Sequence, residues 1–262
     1  MLVDSAELSK RTDFTVVLIH GWGMNQGVWS EFQEALAKDI SQDVVCIDLP
    51  GFGGSINDNV APYNIETISI KVAAELPERS VVIGWSLGGL VAQHIAVSGN
   101  PNIIAHIQMC STPKFEQSEN WPGIKPNVLE MFHAQLVKDH RATIKRFLAI
   151  QFMGINDAKV AIKETLAMIT AFPLSEPATL LESLQILSDA DLRLKLSEQE
   201  PMPCLRIFGR LDSLVPLSVV EHITALAPND HVHVIEKASH APFISHLVET
   251  KACICDFLAT LK

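Results

Sequence analysis

Residues 81–92 read Val81-Val82-Ile83-Gly84-Trp85-Ser86-Leu87-Gly88-Gly89-Leu90-Val91-Ala92. A β-branched apolar run stops at Gly84 and a helix-forming run begins after Ser86, so the serine sits on a sharp strand-to-helix turn. The G-x-S-x-G spacing has a steric cause: a strained turn needs small neighbours two residues to either side, where larger side chains would meet the closing backbone. Gly84 and Gly88 supply them, and Gly89 lets the helix approach the sheet. The turn also sets the Ser86 hydroxyl at a helix N-terminus, where free N–H groups and the helix dipole favour developing negative charge. Ser86 is the candidate nucleophile.

The same alternation of apolar runs and helical segments extends in both directions. Strand-like runs occupy residues 14–20, 44–49, 103–110, 204–208 and 232–235, and several are nearly continuous, as strands covered on both faces are. Segments such as 87–98 and 218–227 have helical character. The fold class is therefore α/β, a mostly parallel central sheet flanked by helices. Between residues 113 and 189 no strand-like run occurs, and helices are expected at 128–139, 143–152, 158–170 and 178–188, with Pro173 and Pro177 as punctuation. A block this long is not an ordinary crossover. It reads as a helical lid (113–189) inserted between two parts of one core (1–112 and 190–262), over the carboxyl ends of the strands where open sheets bind ligands. Helices that simply flank the sheet are the plainer alternative.

Bulk composition narrows the function classes. With 262 residues and 48% hydrophobic content, the chain can bury a sizeable core, and disorder is excluded. A net charge of −10 argues against a general nucleic-acid binder. The start of the chain, residues 1–14, has no apolar signal region, and no uncharged apolar run approaches membrane-spanning length, so a cytoplasmic location is expected, with no membrane partner. The five cysteines, Cys46, Cys110, Cys204, Cys253 and Cys255, lack framework spacing and read as core filler. No Cys/His cluster has metal-site spacing, so no metal or other cofactor is expected.

A serine nucleophile needs a general base, and the base needs an orienting carboxylate. The chain order Ser, acid, His goes with a strand-turn-helix serine. Among ten histidines, His240 follows the last strand in the small-residue loop Lys237-Ala238-Ser239-His240-Ala241-Pro242-Phe243. His246 is its rival, His231 and His233 alternate on a strand and are expected at the surface, and His94 lies inside a helix. Asp212 follows the strand at 204–208, with Pro216 leading into the next helix; an N-cap role is the competing reading. Asp48 precedes Ser86 in the chain, and Asp189 and Asp191 precede the strand. Two backbone N–H donors should stabilise an oxyanion: Leu87, after the nucleophile, and Trp22, in His20-Gly21-Trp22-Gly23 after the first strand. His20 is expected to brace that loop rather than act as a second base.

These stretches, with Asp48-Leu49-Pro50-Gly51-Phe52-Gly53, resemble the α/β-hydrolases. Trp121-Pro122-Gly123-Ile124-Lys125-Pro126, Arg146-Phe147-Leu148-Ala149-Ile150-Gln151 and His240-Ala241-Pro242-Phe243-Ile244-Ser245-His246 go further and resemble the esterases of biotin synthesis, over nearly the whole chain. The resemblance implies an α/β-hydrolase fold and hydrolysis of the methyl ester of a pimeloyl chain borne on acyl-carrier protein. It implies substrate contacts at Trp22, Ser86, Leu87, Phe147, Leu148, Ala149, Ile150, Gln151 and His240. Periodicity supports part of this: Ile144, Phe147, Leu148 and Gln151 share one helix face, apolar with one amide, although a core-facing stripe would look the same. Residues 138–163 hold six basic and two acidic residues, a surplus of four positive charges in a chain of net −10. Arg141, Arg146, Lys159 and Lys163 are the expected docking residues for an acidic carrier, though such a run is also what a solvated helix face looks like. The chain departs from the family here, because Ala142, Lys159 and Lys163 stand where arginines are expected, and lysine lacks the planar fork. A monomer is expected. A general short-chain carboxylesterase is the alternative function; a haloperoxidase-like or carbon–carbon hydrolase, or a non-enzymatic binding module, is less consistent with the lid motifs and the intact triad.

Overall fold

Parallel strands that carry helices between them must be buried on both faces, and the central runs of this chain are apolar enough for that. In the computed structural model, which describes residues 14–261, six strands form one parallel sheet: β1 (Thr15–Ile19), β2 (Val44–Ile47), β3 (Ser80–Trp85), β4 (Ile103–Met109), β5 (Cys204–Gly209) and β6 (His231–Ile235), in the spatial order β2-β1-β3-β4-β5-β6. The register shifts once, between Ser80 and Val81 against β4, and is otherwise regular, with Ile19 beside Gly84 and Trp85 beside Met109. Every residue of β3 and β5 is buried. The outer strands β2 and β6 are not buried throughout, because among the described residues each pairs with a strand on one side only. The expectation of continuously buried runs fails at these two edges; Cys46 is accordingly half-buried, while Cys110 and Cys204 are fully buried. Cys253 and Cys255, on the last helix, are also half-buried. Residues 1–13, where the absence of a signal region was read, lie outside the described residues. Among the described residues, no helix is long and apolar enough to cross a membrane.

Alternate residues of β5 face opposite layers. Arg206 points to Gln93 of α3 (Leu87–Val97), whereas Leu205 sits beside His231, whose ring packs on Phe257 of α11 (Leu247–Thr260). Helices α1 (Ser30–Asp39) and α2 (Ile65–Ala73) pack on α11 and α3 respectively, extending the two layers.

Between β4 and β5 come α4 (Pro126–Lys138), α5 (His140–Gln151), α6 (Ala158–Thr170), α7 (Pro177–Asp189) and the short α8 (Arg193–Glu198). The first four match the expected helices to within three residues at each end; α8 was not foreseen. The root of this block is pinned where Leu192 N–H donates to the Pro113 carbonyl. Trp121 locks the same root: its Nε1 donates to the Lys114 carbonyl at 2.9 Å, and the Arg193 guanidinium lies 5.2 Å from its ring centroid. The block lies against the loops at the carboxyl ends of β1, β2 and β6. Asn25 Nδ2 donates to the Ile169 carbonyl, Trp22 Nε1 donates to the Leu180 carbonyl at 3.0 Å, Gly51 abuts Thr179, and His240 N–H donates to the Gln151 carbonyl at 3.1 Å.

One buried polar group in the sheet makes stability depend on pH. His106 of β4 is enclosed, its Nδ1 accepting from Gln108 Nε2 at 2.8 Å, and burial together with the nearby Arg206 cation pushes its pKa from 6.5 down to about 3. The fold thus refuses a proton that the unfolded chain accepts below about pH 6.5. Stability from this group is complete above that pH and is lost as pH falls toward 3, by up to ~1.4 kcal/mol per pH unit. His106→Asn should make the unfolding free energy less steep between pH 6 and 4 than in the parent protein. Parallel slopes in denaturant titrations at several pH values would show that His106 contributes nothing to acid sensitivity.

Candidate active site

The turn at residues 84–88 is as tight as the spacing predicts. Ser86 has φ 55° and ψ −118°, a conformation that L-residues adopt at a cost of about 1–3 kcal/mol and that surrounding structure must enforce. A Cβ on Gly84 would run into the backbone of Gly88 and Gly89, and one on Gly88 would run into the carbonyls of Ile19 and His20. The Ser86 carbonyl accepts from Ser111 Oγ at 2.8 Å, and Ser111 itself packs on Gly89. Ser111 was not singled out from the sequence; its only signal is a small residue just past the end of β4.

Three loops from distant parts of the chain meet at this turn. His240 Nε2 lies 2.9 Å from Ser86 Oγ, and His240 Nδ1 lies 2.7 Å from Asp212 Oδ2. The partners fix the tautomer: Nδ1–H donates to the carboxylate, leaving Nε2 to accept the serine proton. Asp212 Oδ1 meanwhile accepts from the N–H groups of Leu214 and Val215 at 2.8 and 3.0 Å. The N-cap-like role and the orienting role are therefore both present, one on each oxygen. All three side chains are buried, Ser86 at 2%, Asp212 at 5% and His240 at 0% exposure. The rival His246 is elsewhere, its Nδ1 bonded to Ser245 Oγ. An aromatic cluster that was not anticipated supports the imidazole: Trp85 Nε1 donates to the His240 carbonyl at 2.7 Å, and the Trp85 ring meets Phe243 edge-on at 5.0 Å.

The loop after β1 covers the serine. A Cβ at Gly21 would lie 3.1 Å from both the Ser86 Cβ and the Trp85 ring, so a larger residue would make these neighbours shift by a few tenths of an ångström. The next residue, Trp22, is fully buried and meets Phe147 edge-on at 4.8 Å. His20 braces the loop: Nδ1–H donates to the Gly21 carbonyl at 2.8 Å while Nε2 accepts from Leu49 N–H at 3.0 Å. Burial lowers its pKa in spite of the Asp48 carboxylate beside it, so His20 is a neutral strut. Asp48 is occupied by Gln26 and by Gly54 N–H.

Helix α5 forms the roof. Ile144, Phe147, Leu148 and Gln151 are all buried on one face, and the Gln151 Oε1 has no hydrogen-bond partner among the described residues. The run of five expected contacts is not brought together as a whole: Ala149 is exposed and Ile150 is half-buried. The reason is geometric, since five consecutive helical residues span more than a full turn and cannot share a face. Arg141, Arg146, Lys159 and Lys163 are exposed on α5 and α6, with Arg146 Nη1 donating to Gln135 Oε1. Cys110, Asp212 and His240 place three ligand-type atoms within 4.8 Å of one another. The last two are already joined, and burial and the Asp212 charge hold the Cys110 thiol well above its usual pKa, which leaves it protonated at neutral pH.

The chain matches the alpha/beta hydrolase family over residues 16–250. Among solved structures it resembles an esterase from Exiguobacterium antarcticum (TM-score 0.81, 20% identity, covering 94% of this chain and 91% of that one) and a bromoperoxidase from Bacillus anthracis (TM-score 0.80, 24% identity, 95% and 92%). Likeness at that identity speaks for the fold alone. Sequence relatives are much nearer. The pimeloyl-[acyl-carrier protein] methyl ester esterase of Pseudoalteromonas atlantica is 45% identical over 88% of both chains. Those of Vibrio parahaemolyticus and Citrobacter koseri are 41% and 40% identical, over 92% and 94% of this chain and 93% of each of theirs. The chain belongs to the alpha/beta hydrolase family, in the branch of the pimeloyl-[acyl-carrier protein] methyl ester esterases.

Proposed function

We propose that the protein hydrolyses the methyl ester at the end of a pimeloyl chain borne on acyl-carrier protein, releasing methanol in biotin synthesis. The observation that carries the chemistry is the unbroken Ser86–His240–Asp212 hydrogen-bond chain beneath the apolar face of α5. Ser86 Oγ attacks the ester carbonyl carbon while His240 Nε2 takes its proton. Asp212 holds the imidazole in the required tautomer and stabilises the imidazolium. The N–H groups of Trp22 and Leu87 receive the oxyanion. His240 then protonates the departing methoxide, and methanol leaves. Water, deprotonated by His240, attacks the acyl-serine, and collapse returns the Ser86 hydroxyl and a free carboxylate. The buried face of α5 with Phe147 and Leu148 offers apolar contact suited to methylenes, and the buried Gln151 Oε1 has hydrogen-bonding capacity to spare. The helical block at 113–189 acts as the lid of this site. We place the enzyme in the cytoplasm as a monomer.

Catalytic efficiency on the carrier-bound methyl ester against free short-chain esters tests the assignment. A strong preference for the carrier-bound substrate is expected; equal efficiency would favour a general short-chain carboxylesterase.

The exposed cations of the lid give a further expectation. Reversing charge at Arg146, Lys159 and Lys163 should lower association with the acidic carrier by roughly tenfold or more, while free esters, which need no docking surface, turn over as before. Raising salt should mimic the loss, because exposed charges are screened beyond about 10 Å at 0.1 M ionic strength. Parallel rates for both substrates across variants and salt concentrations would exclude docking by this surface.

A further inference from the structure

Ser86, Trp22 and His240 are all buried, so an ester reaches the serine only when the helices above it, α5 to α7, shift. Helix α6 rests on the loop that carries Trp22, and its seat there is specific. Asn25, itself buried, uses both ends of its amide. Its Oδ1 accepts from Gly27 N–H at 3.0 Å, and its Nδ2 donates to the Ile169 carbonyl near the end of α6 at 2.9 Å. Beside it, a Cβ on Gly27 would lie 2.5 Å from the Met168 carbonyl oxygen and 3.0 Å from the Phe172 ring, so α6 sits directly on the backbone of the loop. The Trp22 indole adds a second tie, from Nε1 to the Leu180 carbonyl of α7.

Trp22 needs such a seat because the loop has little stiffness of its own at this point. It lies between Gly21 and Gly23, and Gly23 has φ +71°, a region that glycine enters freely. Upstream, His20 braces the backbone through the Gly21 carbonyl and Leu49 N–H. Downstream, Met24 N–H closes a turn onto the Gly21 carbonyl at 3.2 Å, and Asn25 follows at once. Among the described residues, Asn25 is the first side chain after Trp22 whose hydrogen bonds tie the loop to a distant part of the chain. The tie matters for chemistry. An oxyanion donor works only when held about 2.7–3.1 Å from the developing charge, and a misplacement of about 1 Å can cost a hundredfold in rate.

We propose that Asn25 is a positioning residue for the reaction: its amide clamps the loop to the Ile169 carbonyl and thereby holds the Trp22 N–H at the oxyanion, so that the oxyanion hole is complete only while α6 is seated. The inference rests on the ester hydrolysis and the Trp22 role proposed above. It gives the moving helices a part in the chemistry as well as in excluding water. The movement that admits the ester releases the Asn25 Nδ2 bond, and the movement that encloses the ester restores it. An ester that entered without letting α6 return would meet the nucleophile with only the Leu87 donor in place.

The test uses free dimethyl pimelate, so that carrier docking plays no part, and two variants that disturb the seat through different atoms. Asn25→Ser keeps an oxygen for the Gly27 N–H and loses the donor to Ile169. Gly27→Ala keeps the Asn25 amide and pushes against the Met168 carbonyl. Both should lower kcat and kcat/KM together by at least about tenfold, with KM within about twofold of wild type, as loss of a transition-state interaction does. Affinity for hexylboronic acid, which forms a tetrahedral adduct on a nucleophilic serine, should fall by the same factor as kcat/KM. Circular dichroism establishes that the compared proteins are folded. In folded variants, a kcat within about twofold of wild type, or a lower kcat with undiminished affinity for the boronic acid, would overturn the role of Asn25 alone. A wild type that does not hydrolyse the diester, or does not bind the boronic acid through Ser86, would overturn the hydrolytic reading and this inference together.

Discussion

Ser86→Ala should abolish ester turnover, lowering kcat by about 10⁵–10⁶-fold, while the protein stays folded. The size of the loss follows from the arrangement of the three side chains. His240 and Asp212 act only through the serine oxygen, so once it is removed they have nothing to activate, and the remaining rate is what binding and the oxyanion donors provide. The variant should fold because the Ser86 hydroxyl bonds to His240 rather than to the backbone of the turn, and the turn is held by the glycines at 84 and 88 and by Ser111. Steady-state rates together with thermal unfolding check both halves. A variant that kept more than about a hundredth of the parent rate would mean that another nucleophile is at work.

Asp212→Asn should cost about 10⁴-fold in kcat with little change in structure. An asparagine can keep its oxygen toward the N–H groups of Leu214 and Val215, which the Asp212 Oδ1 now serves. Its NH₂ group then faces His240 Nδ1, donor against donor. The imidazole relieves that clash by moving its proton to Nε2, which leaves Ser86 without a base. Unlike Ser86→Ala, this variant keeps the nucleophile, so slow acylation should remain measurable. A loss of less than about tenfold would show that Asp212 does not orient His240.

The parts of this molecule that were legible in its sequence are those governed by local pattern. Six apolar runs became six strands because short, mostly apolar runs between helical segments are what a parallel sheet buries, and the elbow at Ser86 was legible because its glycines have no substitute. The order of Asp212 and His240 along the chain, each just past a strand, was enough to bring them to Ser86. Readings failed where a partner from elsewhere in the chain decides the outcome. The residues at 44–47 look like any buried strand, yet among the described residues no strand pairs with the far side of β2. Ala149 shares a motif with Phe147 and Gln151 but points outward from α5. The bond from His240 N–H to the Gln151 carbonyl, which ties α5 to the His240 loop, joins residues 89 positions apart and leaves no mark in either segment. The buried polar residues His106 and Gln108 of β4 and Arg206 of β5 interrupt otherwise apolar strands, but their meaning depends on partners such as Gln93 of α3, which bonds Arg206.

The central claim is that Ser86 opens the methyl ester and leaves the thioester to the carrier intact. Intact-mass measurement of the carrier after incubation with the enzyme distinguishes the two bonds directly. The account predicts that the pimeloyl methyl ester carrier is converted to the pimeloyl carrier, demethylated and still acylated, by the wild type and not by Ser86→Ala. Release of unacylated carrier with a free thiol, or demethylation by Ser86→Ala at the wild-type rate, would contradict it.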